Sequence, residues 1–115
     1  MNIIIDDDLT NRQTPKSFTR FSTGYDLLQF MMQHPNTHID NITFDNDLGT
    51  GLPEGYDLVK EMVNNNWHVV HINIHSANIV AVTNMISYIQ SAKKMNVFDY
   101  ASLSQLPLST YIKNF

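Results

Sequence analysis

No cysteine occurs among the 115 residues. That rules out disulfides, thiolate chemistry and cysteine-based zinc sites, and it fits a cytoplasmic setting. Positive charge is scarce too: seven Lys and Arg stand against eleven Asp and Glu, a net charge of −4. Broad binding to a duplex relies on basic surface, so no duplex DNA partner is expected. No run approaches the roughly 20 apolar residues of a membrane span, and the start of the chain lacks a basic segment leading into an apolar one. Neither a membrane partner nor a secretory leader is therefore expected. Glycine is sparse, and three of the four (Gly49, Gly51 and Gly55) crowd into one short stretch.

That stretch follows Thr43 to Leu48, where an apolar run (Ile39, Ile42, Phe44) ends in Asp45 and Asp47. Two other apolar runs end in a similar way. Met1 to Ile5 leads into Asp6, Asp7 and Asp8, and Val69 to Ile74 leads into His75, Ser76, Ala77 and Asn78. Buried strands deliver polar groups to the rim of an open α/β sheet in this manner. Hydrophobic content of 43% with 16% charged residues is that of a globular chain, and 1–115 is expected to form a single domain.

Strands are predicted at residues 2–5, 17–21, 41–45 and 67–74, with a weaker one at 95–100. Residues 9–16 and 46–54 read as loops. Helices are predicted from Thr23 to His34, from Gly55 to about Asn65, and onward from Asn78 as N-cap. Their apolar faces are Tyr25, Leu27, Leu28, Met31 and Met32; then Tyr56, Val59, Met62 and Val63; then Val82, Met85, Ile86 and Ile89. Residues 106–115 read as a short helix or a packed tail. Alternating strands and helices imply a three-layer α/β/α fold with a mainly parallel sheet of about five strands.

Carboxylates a few ångströms apart repel unless a cation sits between them, and oxygen donors suit Mg²⁺, Mn²⁺ or Ca²⁺. Asp45 and Asp47 share a side if their strand continues that far, and at most two of Asp6, Asp7 and Asp8 face a common site. The alternative is that Asp45 and Asp47 bond backbone amides of their own turn. His75 is a candidate general acid or base, because imidazole titrates near neutral pH. Ser76 and Asn78 precede a helix, where amides bind anions, and either Arg12 or Arg20 can reach a phosphate. His38, His68 and His71 lie within or beside strands and read as structural, while His34 ends a helix.

Together these residues resemble a response-regulator receiver: an early Asp cluster, a strand ending in Asp, a helix opening on glycine, and Ser76-Ala77 after a later strand. The lysine expected at the end of the last strand is missing, since Asp99 to Ser102 stand there. The pattern is closer to the receiver-like family of cyclic-phosphate-processing domains. It carries Asp6-Asp7-Asp8, Asp45-Asn46-Asp47-Leu48-Gly49, Gly55-Tyr56-Asp57, His75-Ser76-Ala77-Asn78 and Asn84-Met85 over residues 3 to about 90.

The resemblance implies a receiver (flavodoxin-like) architecture with one helix shortened or lost. It also implies a pocket acting on a cyclic phosphate, either an RNA 2′,3′-cyclic phosphate end or a cyclic nucleotide. In that pocket Asp7, Asp45 and Asp47 hold a divalent cation, Mg²⁺ or Mn²⁺. His75, Asp45 and Asp47 do the chemistry, and Ser76, Asn78 and Arg12 contact the phosphorylated ligand. Asn46 stands where the family carries a histidine, and Ile79 and Ala81 replace a proline and a glycine. The alternative is a non-catalytic module that sequesters a nucleotide or docks a protein partner.

Overall fold

The computed structural model describes residues 1–8, 14–48 and 53–115. The expected loop at 9–16 and Arg12 fall wholly or largely outside these, as do Gly49 and Gly51. Strand β1 (Asn2–Ile5) carries three fully buried isoleucines because both of its faces are covered. With β2 (Phe18–Phe21), β3 (His38–Phe44), β4 (His68–Ile74) and β5 (Ser102–Ser104) it forms one sheet ordered β2-β1-β3-β4-β5. Every neighbouring pair is parallel.

Side chains alternate across the sheet, so Ile3 and Ile5 face one layer and Ile4 the other. The first layer is built by α1 (Gly24–Gln33), α2 (Gly55–Asn64) and α3 (Ile79–Lys94), which share the main core with Ile3, Ile5 and Phe44. The second is slight. Leu108 and Tyr111 of α4 (Leu108–Tyr111), with Ile112 of the 3₁₀ turn behind it, pack on Ile4 and Phe18. Among the described residues no helix lies between β1 and β2, which is where the expected loss of one helix falls. Asn41, Thr43 and Asn73 face this thinly covered side and hydrogen-bond one another or the C-terminal segment, as Tyr111 Oη does to Asn41 Oδ1 at 3.2 Å.

Two expectations about packing change. In α1 the buried stripe is Gly24, Leu27 and Met31, while Tyr25 is 59% and Met32 82% exposed. Tyr25 and Met32 are seven positions apart and share a line at the edge of the stripe, which the neighbouring helix does not reach. The last strand is Ser102–Ser104 rather than 95–100. Asn96 takes a left-handed φ of 60° and the Val97 amide bonds back to the Ala92 carbonyl, so residues 95–97 cap α3. Phe98 then plugs the core.

A pair of substitutions checks this division. Ile42→Val, at a fully buried site, is expected to cost about 0.5–1.5 kcal/mol in urea unfolding. Met32→Ala is expected to stay within about 0.5 kcal/mol of wild type.

Candidate functional site

In this strand order the chain leaves β1 for one side of the sheet and β3 returns on the other. The crevice for ligands in such a sheet opens at that switch point, beyond the carboxyl ends of the strands. Asp6 follows β1, Asp45 follows β3 and His75 follows β4. Each backbone is held one residue past its strand. Asp45 N donates to Ile5 O at 2.9 Å, and His75 N donates to Phe44 O at 2.9 Å. The ladder thus sets side by side three side chains that could ligate a metal ion. One donor atom from each of Asp6, Asp45 and His75 lies within 4.8 Å of the other two.

A chain of hydrogen bonds fixes the imidazole. Asn73 Nδ2 donates to Thr43 Oγ1 at 2.9 Å, and Thr43 Oγ1 meets His75 Nδ1 at 2.8 Å. His75 Nε2 lies 3.0 Å from Asp6 Oδ2. An ionised carboxylate only accepts, so Nε2 carries the hydrogen and Nδ1 receives the Thr43 hydroxyl. Thr43 and Asn73 are fully buried, and the His75 side chain is 3% exposed. Arg20 brings positive charge to the far side of Asp6, 3.7 Å from Oδ1, while also bonding the Asp8 carbonyl and Thr14 Oγ1.

The two carboxyls are pushed in opposite directions. Burial is the strongest influence on Asp6 and works against its charge. The bonds from His75 and the Asp8 amide, with the positive charge of Arg20, outweigh it, so the carboxyl sits below its usual value of 3.8. Asp45 sits above 3.8, chiefly from burial and further from the charge of Asp6, against partial relief from His75, the Asn46 amide and the Ser76 hydroxyl.

The consequences for stability carry opposite signs. Asp6 contributes stability that is present above pH 3.8 and lost as pH falls through its lowered value. The favourable contribution of Asp45 is full below pH 3.8 and lost as pH rises through its raised value. At pH 7 Asp45→Asn is therefore expected to raise the thermal midpoint, by a few degrees at most because water screens this rim position, and Asp6→Asn to lower it. Both differences should close as pH drops below 3.8, which calorimetry across pH checks.

The acidic turn is pinned to α2. Asn46 N bonds Asp45 Oδ1 at 2.8 Å, and its side chain spans from Asp47 Oδ1 to the Tyr56 amide. Gly55 N donates to Asn46 O at 2.9 Å. A Cβ on Gly55 would lie 2.1 Å from the Asp45 carbonyl oxygen, so only glycine lets α2 start against this turn. The amide of Asn46 thus serves loop geometry, with both ends engaged.

Of the residues singled out in the sequence, Asp45 and His75 come together, and Ser76 joins them through Asp45. Asp47 lies outside the group because β3 ends at Phe44; it is exposed and accepts from Asn78 Nδ2 at 3.5 Å. Asp7 is exposed too, and Asp6 takes the inward position. Asn78 caps α3 by accepting from the Ala81 amide at 3.1 Å.

Sequence reasoning left Thr43 and Asn73 without roles. Their signal was a polar residue inside each apolar strand, two positions before Asp45 and before His75, hence on the same side.

A parallel 2-1-3-4-5 sheet with two acids at its switch point defines a receiver-like α/β domain. A family model described as "Cyclic-phosphate processing Receiver domain" matches residues 1–91, and the chain belongs to that family. No curated protein and no solved structure matched.

Proposed function

We propose that the crevice binds a cyclic phosphate with the help of a divalent cation and opens the ring by hydrolysis. The observation that carries this reading is the meeting of Asp6, Asp45 and His75 within 4.8 Å, from three successive central strands of a chain in this family. Two carboxylates and an imidazole suit Mn²⁺ better than Mg²⁺, which prefers oxygen donors alone. Asp6, Asp45 and His75 would hold the ion, which offsets the repulsion between the acids and polarises a phosphoryl oxygen.

In hydrolysis a water oxygen bonds to phosphorus while one ring P–O bond breaks and the departing oxygen is protonated. To hold the ion His75 would turn to its other tautomer, with Nδ1–H donating to Thr43 Oγ1 and the lone pair of Nε2, now beside Asp6, facing the ion. Its role in this reading is therefore to hold rather than to shuttle protons. Asp45 would take the proton from the attacking water, and a solvent water would protonate the departing oxygen. The Ser76 hydroxyl stands beside Asp45, Asn78 caps α3 next to Asp47, and Arg20 adds positive charge across the crevice.

Incubation with 2′,3′-cyclic AMP and Mn²⁺ at neutral pH should yield the 2′- or 3′-monophosphate, resolved by chromatography. Substrate left intact would overturn turnover. A second reading, binding without turnover, is favoured by Asn46, whose amide offers no titratable group between the two aspartates. Tight calorimetric binding with no product supports it.

A further inference from the structure

A groove of about 350 Å³ opens directly beside the acid crevice, and His75 and Ser76 line both. Its outer wall is Ile79 and Val82, three positions apart on one face of α3. Pro107, just beyond β5, contributes apolar surface as well, and Thr83 and Gln105 supply the polar groups. The Thr83 hydroxyl donates to the Ile79 carbonyl at 3.0 Å, so it offers lone pairs only. Gln105 is exposed and its carboxamide, with two donors and an acceptor, bonds none of the described residues. Ile79 is 80% exposed on the rim, although it opens the helix nearest the site.

We propose that this groove holds the nucleobase attached to the cyclic phosphate, a deepening that rests on reading the acid crevice as the phosphate site. Because His75 and Ser76 belong to both spaces, the occupant of the groove is whatever is covalently joined to the group at the acids. The volume suits one flat ring system rather than a polymer, lying at the small end of ligand sites at roughly 300–1,000 Å³. Aliphatic side chains lie along its faces and a carboxamide meets its edge, the pairing by which amides read bases. With a net charge of −4 the chain offers little basic surface to follow a nucleic-acid backbone. Recognition therefore stops at one nucleotide, either free or at the end of an RNA.

The test compares calorimetric affinities, in Mn²⁺, for 2′,3′-cyclic AMP and for glycerol 1,2-cyclic phosphate, which has the same ring without a base. The nucleotide should bind about tenfold tighter or more, the scale of one good apolar pocket. In Ile79→Ser and in Gln105→Ala, both at exposed positions, that preference should largely disappear. Equal affinity of the wild type for the two ligands would overturn the base site while leaving the phosphate site standing. So would a preference unchanged in both variants. Failure to bind either ligand would overturn both. A trinucleotide with the same cyclic terminus separates the two sources: binding as tight as the mononucleotide supports an RNA end and weaker binding a free nucleotide, while tighter binding would overturn recognition of a single nucleotide.

Discussion

Gly55→Ala is expected to lower the unfolding free energy by about 3 kcal/mol or more, a large share of the roughly 5–15 kcal/mol typical of a small domain. The cause is a collision with backbone, which has no rotamer by which to escape. The new Cβ would stand 2.1 Å from the Asp45 carbonyl oxygen and 2.8 Å from the Asn46 Cα. Relief requires α2 to back away, which breaks the Gly55 N to Asn46 O bond of 2.9 Å and strains the Asn46 bridge to the Tyr56 amide. Asp45 moves with that turn, so any fraction still folded should also bind Mn²⁺ more weakly. Urea unfolding followed by circular dichroism reads the first effect. A midpoint within error of wild type would mean that α2 does not start against the acidic turn.

Asp6→Asn and Asp45→Asn are each expected to weaken Mn²⁺ binding by about 100-fold or more. Loss of a mere supporting contact to a metal ligand costs about 10–100-fold, and each of these changes removes a proposed charged ligand itself. The two variants should agree in this loss while differing in the sign of their effect on stability at pH 7. Asp45→Asn removes a carboxylate that burial and Asp6 disfavour, and Asp6→Asn removes one that His75, the Asp8 amide and Arg20 favour. A stabilised protein with a lost function is the pattern of a site kept under strain for its ligand. Thermal melts with and without Mn²⁺ separate the effects. The ion should raise the wild-type midpoint and leave both variants almost unmoved. A variant stabilised by Mn²⁺ as fully as wild type would remove that carboxylate from the site.

The parallel sheet was legible because its central strands are nearly continuous apolar runs, each ending in a polar cluster, with helical periodicity between them. Where two apolar residues lay one step off a helix's buried line, as Tyr25 and Met32 do, periodicity alone did not say how far the neighbouring helix reaches. The last strand was harder still. Met95 to Tyr100 has the composition of a strand, yet a left-handed Asn96 turns it back onto α3, a tertiary choice that composition does not encode.

At the site, Asp45 and His75 could be read from their places after Phe44 and Ile74. Which of three consecutive aspartates points inward depends on the twist of the strand end and on Arg20 and His75 waiting for it, and none of these is local. The separation of Asp47 from Asp45 depends on β3 stopping at Phe44. The imidazole's partners were legible in principle, since Thr43 and Asn73 are matched across β3 and β4 in a parallel register. Asn46 carries a different meaning from the one its position suggested: its side chain is spent on the start of α2, whatever its replacement of a histidine does to the chemistry.

Calorimetry of 2′,3′-cyclic AMP against wild type and Asp6→Asn, each with and without Mn²⁺, bears most directly on the crevice between β1, β3 and β4. Binding to the wild type only when Mn²⁺ is present, and no binding to Asp6→Asn in either condition, is the expected result. Equal binding by wild type without the ion, or by Asp6→Asn with it, would contradict a cation-dependent phosphate site at Asp6, Asp45 and His75.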